Sequence, residues 1–275
     1  MTRLAIFQSC TGIEPAANAG SLVAAVEKAA AGGAEILFTP EMSGILDRDK
    51  QRAAGRFRSE EEDEVLAAVR AAAKQHRIWV HLGSLAIATA TGKLANRGFV
   101  IDSAGEIRAR YDKMHLFDVD LPTGESWRES ASYDAGSKAV VVEETPVGRL
   151  GLAICYDLRF PALFERLSEA SAQVISLPAA FTVPTGKAHW EVLLRARAIE
   201  AGLFVVAAAQ SGEHEDGRRT YGHSLVIDPW GEVVLNMEER VGVAFAKIDL
   251  AQIDDVRQRL PAMLHRRPVP QAVGQ

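Results

Sequence analysis

A chain of 275 residues, 48% hydrophobic and 24% charged, is long enough for one large α/β domain and has the balance of a soluble globular protein. Its formal net charge of −5 argues against nucleic acid or an anionic membrane as a partner, because basic pairs such as Arg218 with Arg219 are short and scattered. Its 2 cysteines, Cys10 and Cys155, exclude a disulfide framework and imply a reducing, cytoplasmic compartment. The first residues run straight into a strand pattern without a long apolar leader, and the apolar run 203–209 is too short to span a bilayer, so no membrane partner is expected.

In chain order, apolar runs predict strands at 4–8, 36–39, 79–85, 98–101, 140–143, 151–154, 174–177, 204–208, 224–227 and 243–248. Alanine-rich stretches with apolar residues at i, i+3 and i+4 predict helices at 19–31, 60–76, 161–170 and 188–201. Strands alternating with helices predict a layered α/β fold. The segments FVIDSAGEI (99–107) and LVIDPWGEV (225–233) share one form: a strand, an Asp-initiated turn closing on Gly, and a second strand. Both read as antiparallel hairpins, which suits a mixed sheet or two halves of similar plan. No Ser/Gly-rich linker divides the chain, so 1–275 reads as a single domain. The segment 261–275, with Pro268 and Pro270, reads as a surface or partner-contacting tail.

Phosphate-loop, dinucleotide and nucleophile-elbow patterns are absent, and the 7 histidines show no metal-ligand spacing, so neither cofactor nor metal is expected. Three polar residues remain, each just past a predicted strand: Glu41, Lys113 and Cys155. Sites in open α/β sheets gather beyond the carboxyl ends of strands, so positions far apart in sequence can converge there. Taken singly, Glu41 reads as a surface or capping carboxylate, Lys113 as a solvated lysine, and Cys10 as an inert thiol. Cys155 differs, because the polar residues Tyr156, Asp157 and Arg159 follow it directly off an apolar strand. A thiol with a pKa of about 8.5 is mostly protonated at neutral pH. A carboxylate base and an ammonium beside it supply what nucleophilic attack needs, without any histidine.

On FTPEMSG (38–44), YDKMHLFDVDLP (111–122), GLAICYDLRFP (151–161), TGKAHWEVLLRARAIE (185–200) and YGHSLVIDPWGEV (221–233), the chain resembles the nitrilase superfamily of carbon–nitrogen hydrolases over nearly its whole length. The resemblance implies an α-β-β-α sandwich with two mixed sheets that pairs into a homodimer. It implies Glu41 as general base, Lys113 as oxyanion-stabilising lysine, Cys155 as nucleophile and the Tyr156 N–H in the oxyanion hole. It also implies a second active-site glutamate after the lysine; WRES makes Glu129 the match, with Glu125 the competitor.

Arg159 has two readings, a partner for a substrate carboxylate or a structural pair with Asp157 or another carboxylate. Phe181 and Thr182 follow the predicted strand 174–177 and are candidates to line the pocket, while His189 and Trp190 read as helix packing. The stretch AAAQSGEHEDGRRTYGHS (207–224) looks more like deaminated-glutathione amidases than ω-amidases. That implies hydrolysis of a terminal carboxamide of a small α-keto acid, such as deaminated glutathione, to a carboxylate and ammonia. The alternatives are an ω-amidase acting on α-ketoglutaramate, an N-carbamoyl amino acid hydrolase, a thiol-redox enzyme, and a non-catalytic binding protein on the same fold. The redox reading lacks a resolving cysteine near Cys155.

Overall fold

The computed structural model describes residues 1–120, 124 and 126–274. Strand β1 (Thr2–Gln8) is apolar on both faces, as a strand covered on both sides must be. Helix α1 (Pro15–Ala31) follows, then β2 (Ile36–Phe38), α2 (Lys50–Ala54), α3 (Glu64–His76), β3 (Trp79–Ala88) and the hairpin β4 (Leu94–Ile101) with β5 (Ile107–Asp112). A ribbon of β6 (Asp118–Asp120) and β7 (Ser126–Arg128) leads to β8 (Val140–Thr145), β9 (Gly148–Leu152), α4 (Pro161–Glu169), β10 (Val174–Ser176), α5 (Val183–Ala201) and β11 (Phe204–Ala207). A second ribbon, β12 (Ser211–Glu213) and β13 (Arg219–Tyr221), precedes the hairpin β14 (Leu225–Ile227) with β15 (Val233–Asn236), and β16 (Gly242–Ile248) and α6 (Ala251–Arg259) close the chain.

The strands form two 6-stranded sheets, ordered β16-β1-β2-β3-β4-β5 and β15-β14-β11-β10-β9-β8. Both have the same plan. Parallel strands (β1, β2, β3 and β9, β10, β11) are bordered by an antiparallel hairpin on one side and an antiparallel strand on the other. The two Asp-initiated turns are matched in detail. Gly105 N–H donates to Asp102 O at 2.9 Å and Gly231 N–H to Asp228 O at 3.0 Å, and each Asp side chain also accepts two N–H groups of its own turn.

Alternation along the strands divides the core. Leu4, Ile6, Ile36 and Phe38 join the second sheet in one apolar layer, while Ala5, Phe7, Leu37 and Val80 pack under α1 and α3. Helices α4 and α5 lie on the second sheet, against β9, β11 and β14. The result is the α-β-β-α sandwich with two mixed sheets that the sequence implied. One polar link crosses between the sheets, from Ser176 Oγ on β10 to His81 Nδ1 on β3 at 2.8 Å, and both residues are buried.

Several boundaries differ from expectation, and helices α2 and α6 were not expected at all. Helix α3 starts at Glu64 rather than 60, because Asp63 caps it by accepting the Leu66 N–H at 2.8 Å. Helix α5 starts at Val183 rather than 188: Pro184 sits in the first turn, where a missing N–H costs nothing, and Gly186 makes room for the Tyr221 ring. The strand predicted at 151–154 ends at Leu152, where its pairing with β8 stops. Helix α6 carries too little apolar periodicity to be read, with Ile253 its buried contact. Residues 261–274 are mostly exposed and form neither helix nor strand. No described helix is long and apolar enough to cross a membrane.

Candidate active site

After β9 the backbone turns sharply. Cys155 takes a left-handed conformation, φ +49°, and opens a single 3-10 turn (Cys155–Arg159) before Pro161 starts α4. A non-glycine residue pays for that conformation, so its surroundings must hold it there. Asp157, fully buried, does so: its carboxylate accepts Ile154 N–H at 2.8 Å, Tyr111 O–H at 2.7 Å and His115 N–H at 3.0 Å, with His115 Nδ1 at 2.7 Å. The backbone stays extended to Ile154, but pairing with β8 stops at Leu152 and Asp157 takes the next N–H on that side. The Cys155 N–H itself donates to Pro178 O at 2.9 Å.

The first sheet brings the charges. Glu41 leaves β2 and is 4% exposed; its Oε1 accepts from Lys113 Nζ at 2.8 Å and Asn96 Nδ2 at 2.9 Å, and its Oε2 from the Ala180 N–H at 2.9 Å. Lys113 leaves β5 and is 2% exposed. Its ammonium also reaches Glu129 Oε2 at 2.9 Å and Oε1 at 3.2 Å. Glu129, just past β7, is further tied to Phe117 N–H at 2.7 Å and Asn96 Nδ2 at 3.0 Å. Glu125, its competitor in the sequence reading, lies outside the described residues.

Two carboxylates thus clamp one buried ammonium. Burial works against the Lys113 charge, but Glu129 and Glu41 outweigh it and hold the group well above the ordinary lysine range. Burial and the facing Glu41 carboxylate push the Cys155 thiol well up, with Lys113 acting in the opposite sense. The Cys155 thiol thus faces the Glu41 carboxylate, with the Lys113 ammonium beside them.

These groups stand at the base of a cavity of about 540 Å³. Tyr156, Arg159, Phe181 and Thr182 line it with them, as do Phe117 and Trp127. The Tyr156 N–H lies in the first turn of the 3-10 segment, where N–H groups lack helical acceptors, next to the thiol. Arg159 does not pair with Asp157, whose oxygens are fully taken; no carboxylate lies within 4.0 Å of it among the described residues. Its guanidinium stacks instead on the rings of Tyr156 at 5.9 Å and Phe181 at 5.7 Å, and its Nη2 lies 3.2 Å from His189 Nδ1. His189 is thus a neighbour of the site rather than helix packing, whereas Trp190 is buried against Phe181.

The sequence reading missed Asn96, the amide that joins both carboxylates, and Gln210, whose Nε2 donates to Glu41 O at 2.9 Å. It also missed the locking role of Asp157. Among the described residues no group of three or more His, Cys, Asp or Glu is placed to hold a metal ion.

A carbon-nitrogen hydrolase family model matches residues 3–258. The chain is 43% identical over 244 residues to the nitrilase and fragile histidine triad fusion protein NitFhit of Caenorhabditis elegans, covering 88% of this chain and 55% of that protein. The crystal structure of that nematode protein superposes with a TM-score of 0.89 at 40% identity, over 97% of this chain and 65% of that one. The deaminated glutathione amidase of Yersinia enterocolitica is 37% identical over 269 residues, 96% of this chain and 92% of that protein. The chain therefore spans about half the length of the nematode fusion protein and nearly all of the Yersinia one.

Sandwich, cavity and kinship together define a hydrolase of carbon–nitrogen bonds. The chain belongs to the carbon–nitrogen hydrolase family.

Proposed function

We propose that the protein is a thiol amidase that hydrolyses an amide of a small α-keto acid through a cysteine thioester. The observation that carries this reading is the meeting of the Cys155 thiol, the Glu41 carboxylate and the Lys113 ammonium at the base of one cavity. Cys155 Sγ attacks the amide carbon while Glu41 takes the thiol proton. The Lys113 ammonium and the Tyr156 N–H face the oxyanion that develops. As the C–N bond breaks, Glu41 returns the proton to the leaving amine. Glu41 then draws a proton from water, whose oxygen attacks the thioester, and Cys155 leaves as a thiol with the carboxylate product free. A terminal carboxamide releases ammonia by this route, and an N-substituted amide releases the corresponding amine. Glu129, tied with Glu41 to the same Asn96 amide, holds Lys113 in register.

Deaminated glutathione is the proposed substrate type, supported by the names of the Yersinia protein and of the mouse protein, 41% identical over 248 residues. Arg159, free of any carboxylate among the described residues, is suited to hold a substrate carboxylate. The same reading takes 1–275 as one catalytic domain, acting in a reducing cytoplasm as a homodimer. Exposed Val192, Ile199 and Trp230, on α5 and the β14–β15 turn, supply an apolar face for such pairing.

Intact-mass measurement tests the route. Wild type quenched during turnover of an α-keto amide is expected to gain the mass of the acyl group, and Cys155→Ala to gain nothing and lose about 10⁴-fold or more in kcat. Product release by Cys155→Ala at the wild-type rate would end the proposal.

A further inference from the structure

The cavity holds a second cationic region that the bond-breaking steps leave unused. Arg48 and Arg218 both stack on the Trp127 ring, with guanidinium carbons 5.6 and 4.6 Å from its centroid. Among the described residues they share a single carboxylate, Asp216, at 3.8 Å from Arg48 Nε and 3.3 Å from Arg218 Nη2. Asp216 is also occupied by the Arg48 N–H, 2.9 Å away, so two cations draw on an anion that is already engaged. Burial lowers the Arg218 pKa and disfavours its charge, with Asp216 as the nearest compensation.

Unmet donors lie in the same place. Trp127 Nε1 and Arg218 Nε are buried and meet no acceptor among the described residues. Both residues line the cavity. Buried donors left unpaired are rare in folded proteins and point to an acceptor that arrives with a ligand. Two donors and a surplus positive charge call for an anion.

Arg159 marks the other end of the cavity. Between Arg159 and the Arg48–Arg218 pair runs a row of rings: Tyr156 lies 5.1 Å from Phe117, and Phe117 lies 6.3 Å from Trp127. Among the described residues, an arginine without a carboxylate partner thus stands at one end of an aromatic row, and an arginine pair with one shared carboxylate at the other. A cavity of about 540 Å³ has room for a ligand that reaches both.

We propose that Arg218, with Arg48 and Trp127, forms a second carboxylate subsite. It holds the carboxylate on the leaving-group side of the amide, the end of the amino acid or short peptide that a substrate of the deaminated glutathione type releases. This rests on the amidase reading above and assigns residues to the leaving-group side, for which that reading names none. Arginine suits the task because its planar fork meets a carboxylate in two places while its face stays on the indole.

The test uses two substrates with the same α-keto acyl group on the same dipeptide, one ending in a free carboxylate and the other in a carboxamide. Wild type is expected to favour the free acid by at least about tenfold in kcat/KM, mainly through KM. Arg218→Gln and Arg48→Ala are expected to bring that ratio towards one, and Arg48, with a side chain 44% exposed, is a substitution the fold tolerates. Equal use of both substrates by wild type, or a proportional loss on both in the variants, would overturn the subsite. Hydrolysis of neither substrate by wild type, with no adduct on Cys155, would instead overturn the amidase reading and the subsite with it.

Discussion

The two sheets share a strand plan and carry different chemistry. The difference is clearest at their two cysteines. Cys10 leaves β1 and Cys155 leaves β9, and these strands hold the same place in their sheets: β1 pairs in parallel with β2 from Leu4 and Ile36, as β9 pairs with β10 from Leu150 and Val174. Cys10 is exposed, with Glu213 O at 3.3 Å and His214 Nδ1 at 3.7 Å. Burial and the neighbouring Glu215 carboxylate raise its pKa. Cys155 is buried, its backbone is left-handed, and a carboxylate and an ammonium from the other sheet face it. Position at a strand end is therefore not enough. The second sheet supplies the nucleophile and the first supplies the charges, so only their stacking makes a reactive site.

The largest expected effect comes from removing the charge that the first sheet lends to the second. Glu41→Gln is expected to lower kcat by about 10²–10⁴-fold, the usual worth of a positioned base. Its thiol should nevertheless titrate lower than in wild type, because the Glu41 charge that raises it is gone while the opposing Lys113 ammonium stays. Thiolate absorbance against pH reads this shift. An unmoved or higher midpoint would mean that Glu41 does not act on Cys155.

An intermediate effect concerns the seam between the sheets. Burial pushes His81, beside Ser176, down to about 3. An unfolded histidine titrates near 6.5. Between those values the unfolded chain binds a proton that the folded chain refuses, so stability is present above about pH 6.5 and lost as pH falls towards about 3. The loss is about 1.4 kcal/mol per pH unit inside that window, and urea unfolding at several pH values measures it. His81→Gln should flatten this slope by close to one proton; an unchanged slope would show that the seam does not titrate.

The smallest effect sharpens the contrast between the cysteines. Cys10→Ser should leave amide hydrolysis at the wild-type rate and change stability by no more than about 0.5 kcal/mol. A loss approaching that of Cys155→Ala would mean that the two strand ends are closer in function than their surroundings indicate.

Much of the frame was legible before any coordinates. Period-two and period-3.6 patterns located the strands of both sheets and four helices, and the repeated Asp–Gly turns pointed to a mixed sheet or to two halves of similar plan. The placing of Glu41, Lys113 and Cys155 just past strands was equally visible. The boundary at Leu152 was not, because pairing with β8 stops there and a buried carboxylate, Asp157, takes the next N–H on that side. Nor was the start of α5, since Pro184 and Gly186 look like helix breakers until the first turn and the Tyr221 ring are seen.

By itself, then, the sequence determined most of the segments that become strands and helices in the two sheets and their layers, and which side chains stand at their ends, because backbone preference and apolar alternation are local properties. Tertiary structure alone decided the partners of those side chains. Asn96 joins Glu41 to Glu129, Asp157 serves four groups and none of them is Arg159, and Arg48 and Arg218 meet on Trp127. The physical reason is that a hydrogen bond or charge pair depends on separation in space to within a few tenths of an ångström. Residues brought together by the stacking of two sheets leave no periodic trace of that nearness along the chain.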